Sequence, residues 1–150
     1  MVRASNKMAL TVMTGLMLTV PTWVQASHQD WITIRQEAFE LIEKQTDQVA
    51  ALLRKRETDW QAALEVSEQL AENSAMLKSA FPPESQAGSK AKDSVWTKPE
   101  KFHSLMHDFG EGYATLLTAS KEQNLSLAEQ GLNQAEKTCR ACHRSYRSRW

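Results

Sequence analysis

The stretch Cys139-Arg140-Ala141-Cys142-His143, close to the C-terminus, decides how this sequence folds and what it carries. It is the C-x-x-C-H pattern of c-type haem attachment, in which two thiols bond to the porphyrin vinyl groups and the adjacent imidazole binds the iron. On a helix, at about 100° per residue, Cys139, Cys142 and His143 share an arc of roughly 100°. One helix face can therefore hold one covalently attached haem c, with His143 as the axial ligand.

Other roles for two cysteines agree less well with this sequence. Thioredoxin-like pairs begin a helix in a βαβ context, whereas this pair lies near the end of a helical segment. A structural zinc site needs four ligands, and Cys139 and Cys142 are the only cysteines in the chain. A haem-free helical bundle with an incidental C-x-x-C is the remaining alternative, and a mass spectrum would separate it from a haem protein.

Residues 1–26 are typical of a cleavable signal peptide. Arg3 and Lys7 are followed by a short apolar stretch, and Val24-Gln25-Ala26 places small residues at the cleavage positions. The stretch is short for a membrane span, although an uncleaved anchor is the alternative. We expect a periplasmic domain of residues 27–150 with no membrane attachment after cleavage. Its 18 acidic against 16 basic side chains do not favour nucleic-acid binding.

Apolar residues recur at helical spacing in four segments of this domain. The spacing predicts a first helix over about 30–54 and a second from a cap at Thr58 or Asp59 to about residue 77. It predicts a third helix over about 99–121 and a fourth from Asn124 or Ser126 through the haem motif. Residues 81–99, with Pro82, Pro83 and Gly88, predict a long connection, from which Val95 and Trp96 fold back onto the body of the domain. No pattern favours a β-strand.

Four amphipathic helices joined in this way predict an all-α fold, an antiparallel four-helix bundle with haem attached near the C-terminus. Gly110 and Gly112 lie inside the third helix and lower its stability relative to alanine. Either a close neighbour, such as haem or another helix, requires them, or they are simply tolerated.

The domain resembles the class II c-type cytochromes, and most closely cytochromes c′. Three segments match the family's R-Q-x-x-(L/F/M), I-W-x-x-P-x-x-F and C-x-x-C-H-x-x-Y-R patterns. They are Arg35-Gln36-Glu37-Ala38-Phe39, Val95-Trp96 with Pro99 and Phe102, and Cys139–His143 with Tyr146-Arg147.

The resemblance implies a function that depends on Phe39. In this family the residue four after the first-helix arginine faces the open side of the haem. Methionine there gives a low-spin electron carrier, whereas an apolar residue leaves the iron five-coordinate and able to bind nitric oxide. The resemblance also implies that Arg35 lies near a haem propionate and Arg147 on the His143 side, where it could shape ligand access. A low-spin carrier with Met106 as sixth ligand is the alternative.

Other histidines do not compete with His143 for the haem iron. His103 and His107 have a spacing that can bind metal, but they flank the apolar stripe beside charged residues, and His28 is close to the expected mature terminus. The sequence shows no nucleophile–base constellation of the kind that would predict an enzyme. The expected partners are redox proteins and a small gas such as nitric oxide, and homodimer formation through the first two helices stays open.

Overall fold

The computed structural model describes residues 28–149, with side chains from residue 30, and contains four long helices. They are α1 (His28–Leu53), α2 (Trp60–Leu77), α4 (Pro99–Glu122) and α5 (Leu125–Tyr146); a short helix, α3 (Ser94–Thr97), and a 3-10 turn at Pro83–Ser85 lie in the connection between α2 and α4. The expected signal peptide, residues 1–26, lies outside the described residues. The predicted four-helix bundle is confirmed.

Polar side chains set where the helices begin. The Asp59 carboxylate accepts a hydrogen bond from Ala62 N (3.1 Å) at the start of α2, and the Asn124 side chain accepts one from Leu127 N (3.1 Å) at the start of α5. Pro99 occupies the first turn of α4, where its missing N–H has no intrahelical partner to lose. Asp59 and Asn124 were both among the predicted caps.

The core lies between the apolar stripes of the four long helices. Its largest fully buried side chains include Leu70 and Leu77 of α2, Tyr113 and Leu116 of α4, and Val49 of α1. These positions recur at helical spacing, as the sequence predicted.

The helices do not contact one another equally. The most extensive contact is between α4 and α5, followed by α2 with α4 and α1 with α2, whereas α1 and α5 touch only over a short stretch. The bundle is therefore closed on three sides and comparatively open between α1 and α5. Within residues 28–149, no helix has the length and apolarity needed to cross a membrane.

The predicted connection before α4 is ordered by contacts with the rest of the chain. Trp96 Nε1 donates to Phe81 O (3.1 Å) and Pro82 O (3.0 Å), and Val95 is buried. An isolated antiparallel bridge pairs Ala91 with Arg147, just after α5. This part of the connection therefore lies against the end of the helix that carries the haem motif.

Candidate haem site

The last two turns of α5 present the three residues of the haem motif on one side. Cys139 and Cys142 are half-buried and form no disulfide, and His143 is exposed. They share one arc of the helix, which is the arrangement that two thioether bonds and an axial imidazole need.

Partial burial changes how these three groups ionise. Desolvation raises the pKa of the Cys142 thiol to about 11, and it also raises the pKa of the Cys139 thiol. The pKa of His143 is lowered, mainly by desolvation and then by the positive charge of Arg147. His143 is therefore favoured as the neutral imidazole, which is the form that binds a metal.

The facing side of α1 carries Phe39 and Glu43, one turn apart. The Glu43 carboxylate interacts electrostatically with both Cys139 and His143, which places this turn of α1 opposite the haem motif. Phe39 is 37% exposed, one of the few large apolar side chains that the described fold leaves uncovered. The aromatic side chain of α1 and the two thiols and the imidazole of α5 belong to helices that make little contact with each other. These groups fit a haem.

Arg35, predicted near a haem propionate, is buried on α1 one turn before Phe39. Its Nη1 donates to Ala80 O (2.8 Å) and Ser85 Oγ (2.6 Å), and its Nη2 donates to Ser85 O (2.9 Å). Its guanidinium carbon lies 4.7 Å from the centre of the Phe81 ring. Among the described residues no carboxylate pairs with this cation, so an anionic group bound beside it would be stabilised.

The other predicted residues divide between the site and the rest of the bundle. Arg147 is exposed and lines a cavity of about 380 Å³ together with His143. Met106 is buried among the core residues of α4. His103 and His107 are exposed, and His107 Nδ1 lies 4.0 Å from Glu111 Oε1. The side chain of His28 lies outside the described residues.

Comparison with known proteins identifies the family. The sequence model of the family described as Cytochrome C′ matches residues 30–147, most of the chain. This chain belongs to the cytochrome c′ family. Members of this family carry covalently attached haem c, and the two C-terminal cysteines fit that attachment.

Solved cytochromes c′ have the same fold. The cytochrome c′ of Rubrivivax gelatinosus is 25% identical and aligns over 81% of this chain and 98% of its own, with a TM-score of 0.75. A variant from Alcaligenes xylosoxidans, solved in the ferrous form with bound NO, is 21% identical over 85% and 100% of the two chains, with a TM-score of 0.77. That of Thermochromatium tepidum is 17% identical over 83% and 99%, with a TM-score of 0.75. No curated protein sequence matches the chain significantly.

Sequence analysis missed Glu43, and it also missed Lys90 and Lys92 near the site. Both lysines line cavities beside His143, because the connection that carries them pairs with the end of α5. Periodicity could not find them, since they lie outside any helix. The Lys90-Ala91-Lys92 pattern was the only local signal, and it does not specify where in the bundle the segment lies.

Proposed function

We propose that this cytochrome c′ binds a small uncharged gas such as nitric oxide at five-coordinate iron. Haem c would be attached through Cys139 and Cys142, with His143 on one side of the iron and Phe39 on the other. The observation that carries this proposal is the uncovered side chain of Phe39, one turn before Glu43, the α1 residue whose charge acts on both Cys139 and His143.

The chemistry of Phe39 supports an open coordination position. Its ring has no lone pair that could bind iron, so it fills space without becoming a ligand. An apolar surface there disfavours water and anions, which would lose hydrogen bonds on entry, more than a neutral diatomic gas. The relative from Alcaligenes xylosoxidans solved with bound NO agrees with this assignment.

Two arginines complete the proposed site. Arg35 is buried without a carboxylate partner among the described residues, which supports pairing with a haem propionate. Arg147 lies one turn after His143 and is exposed, which suits a role in controlling access on that side. The alternative sixth ligand, Met106, is a core residue of α4 with 5% of its surface exposed, and this favours Phe39 over a methionine-ligated site.

We also propose that the protein is exported to the periplasm after cleavage of residues 1–26 and acts by binding and electron exchange rather than as an enzyme. The charged start, apolar stretch and small cleavage residues of this segment support export. Redox partner proteins would exchange electrons with the haem. The exposed Leu41 on α1 and half-buried Trp60 on α2 support a homodimer through these helices.

Absorption spectra of the holoprotein test the proposal. We expect five-coordinate spectra in both oxidation states and a new band when nitric oxide is added to the ferrous protein. Phe39→Met should give a low-spin spectrum, a higher reduction potential and no nitric oxide binding. Leu41→Met is the matched control, because this exposed position on α1 lies about 160° around the helix from Phe39.

A methionine-ligated, low-spin spectrum of the wild-type protein would rule out the open position. A mass spectrum of the exported protein checks attachment and cleavage together, since it reports the added haem and the loss of residues 1–26. The haem increment should be absent after a Cys139→Ser, Cys142→Ser double substitution.

A further inference from the structure

Five cationic side chains surround His143 at the end of α5, and we call them the basic rim. Two adjoining cavities of about 380 and 290 Å³ lie among them and share His143. Among residues 28–149, no acidic residue lines either cavity. The rim consists of Lys90, Lys92, Arg144, Arg147 and Arg149.

Backbone hydrogen bonds hold the rim together. Lys92 N donates to Tyr146 O (2.8 Å) and Ser148 N donates to Lys90 O (2.8 Å), on either side of the bridge between Ala91 and Arg147. Lys92 Nζ also donates to Ser145 O (3.1 Å), an uncapped carbonyl in the last turn of α5. Two segments more than fifty residues apart in sequence therefore bring their cations to one place.

The rim reverses the charge of the domain around it. Residues 27–150 carry more acidic than basic side chains, yet within residues 30–149 no carboxylate forms an ion pair with a rim residue. All five side chains are exposed. A cluster of unpaired like charges on a surface repels itself and attracts an anionic partner over several ångströms.

We propose that the basic rim docks the acidic face of a one-electron carrier protein, which reduces the haem beside His143. The transfer oxidises the carrier by one electron and reduces ferric iron to ferrous iron, with no bond made or broken. This inference rests on haem attachment at Cys139, Cys142 and His143, and it adds the partner's chemistry and its place of contact.

The shape of the rim favours a protein over other anions. Its cations are exposed and spread over two segments, whereas a small-anion site would converge buried donors on one point. Anchoring in a membrane surface needs apolar side chains beside the cations. None of the large apolar side chains that the described residues expose lines either cavity; they belong to α1, α2 and the start of α5.

Stopped-flow reduction of the ferric holoprotein by the hydroquinone form of an acidic flavodoxin tests the proposal. We expect the second-order rate constant to fall steeply with ionic strength and to fall about tenfold in a Lys90→Glu, Arg149→Glu double variant at low salt. The matched control, Arg54→Glu with Lys55→Glu, makes the same charge change at the opposite end of the bundle, in the connection between α1 and α2. It should change the rate less than twofold.

A cationic oxidant distinguishes an electrostatic effect of the rim substitutions from damage that these substitutions do to the haem site. Oxidation of the ferrous protein by tris(phenanthroline)cobalt(III) should become faster in the rim variant, since removing positive charge helps a cation approach. A rim variant that slows both reactions, or a control variant that slows the flavodoxin reaction equally, would overturn the proposal.

Binding can also be located without electron transfer. Oxidised flavodoxin added to the holoprotein should shift the amide resonances of residues 90–92 and 143–149 and leave those of residues 54–56 unchanged. Rim-dependent binding to phosphatidylglycerol vesicles, with a flavodoxin rate independent of salt, would contradict a protein partner. If haem were not attached, the mass and the absorption spectrum of the protein would show it. Failure of the haem assignment can therefore be distinguished from failure of the docking proposal.

Discussion

Helix α5 has two very different neighbours. Against α4 it packs so closely that each helix needs a glycine: a Cβ placed on Gly112 would lie 2.7 Å from Ala135 N, and one on Gly131 would lie 2.6 Å from Gly112 O. Against α1 it makes few contacts, and Phe39 stays 37% exposed. The contact with α4 therefore holds α5 in the bundle, whereas the interface with α1 stays loosely packed.

This difference shows how a small bundle keeps room for a large cofactor without losing its fold. Helix α1 is fixed by contacts other than those with α5. Arg35 bonds to Ala80 and Ser85, and the Tyr113 hydroxyl lies 2.7 Å from Thr46 Oγ1 across the bundle. Because these contacts hold α1 in place, the interface between α1 and α5 can stay loosely packed.

The close contact between α4 and α5 is tested by Gly112→Ala, with Gly110→Ala as its matched control two residues away. The added methyl group at residue 112 would meet backbone atoms of α5, so the helices must separate, and we expect a loss of about 2 kcal/mol in the free energy of unfolding. At Gly110 the nearest atom is Lys78 Cε at 3.4 Å, a flexible side chain, so alanine should stabilise the helix by up to about 1 kcal/mol.

Urea unfolding followed by circular dichroism measures both changes. Equal effects of the two substitutions would contradict the idea that the backbones of α4 and α5 need the glycine at 112. The spectrum of the folded haem protein should be the same in both variants, since neither residue belongs to the candidate haem site.

The hydrogen bond between Thr46 of α1 and Tyr113 of α4 gives a prediction about how stability depends on pH. Thr46 Oγ1 donates its hydrogen bond to Ile42 O (2.7 Å), so the Tyr113 hydroxyl must be the donor to Thr46 Oγ1. Tyr113→Phe removes this hydrogen bond and should lower the free energy of unfolding by about 1 kcal/mol at pH 8. Burial is the main cause that raises the pKa of Tyr113 above its usual value. Above about pH 10 the phenol ionises more readily in the unfolded chain, so stability falls by about 1.4 kcal/mol per pH unit.

This alkaline loss is specific to the phenol. At pH 11 the Tyr113→Phe variant should therefore match or exceed the wild-type stability, reversing the order found at pH 8. Thr46→Val is the control: it removes the acceptor but keeps the buried phenol, so its stability should stay below that of the wild type at both pH values. Parallel pH curves for wild type and Tyr113→Phe would show that Tyr113 does not carry the effect.

Local signals in the sequence were enough to predict the helices and the haem motif. The spacing of apolar residues, the caps at Asp59 and Asn124, and the C-x-x-C-H pattern each act within a few residues, so they can be recognised without knowing the fold. Phe39 was identified through the family resemblance, and it lies one turn before Glu43, the α1 residue whose charge acts on His143. Its role toward iron stays a prediction.

Features that depend on contacts between distant segments could not be predicted in this way. The sequence left two explanations for Gly112, and only the position of α5 shows that another helix requires it. The same holds for the partners of Arg35, 45 and 50 residues away, and for Lys90 and Lys92, which reach His143 through the bridge between Ala91 and Arg147. Each of these contacts closes a long loop, and no local pattern encodes it.

The smallest predicted effect concerns the two-residue link that sets α5 against α4. Gln123 has φ of 53°, in the left-handed region, where a side chain is disfavoured and glycine is not. Gln123→Gly should therefore raise the free energy of unfolding by about 0.5 to 1 kcal/mol, and Gln123→Asn by less. The opposite substitution, Gly88→Ala, provides the control: Gly88 has φ of 76°, and among the described residues its added Cβ would meet only Ile32 Cδ1, at 3.9 Å. Backbone conformation alone should make Gly88→Ala destabilising by about 1 kcal/mol. If urea unfolding showed Gln123→Gly to be destabilising while Gly88→Ala behaved as expected, contacts of the Gln123 side chain, rather than backbone strain, would determine how α5 is set against α4.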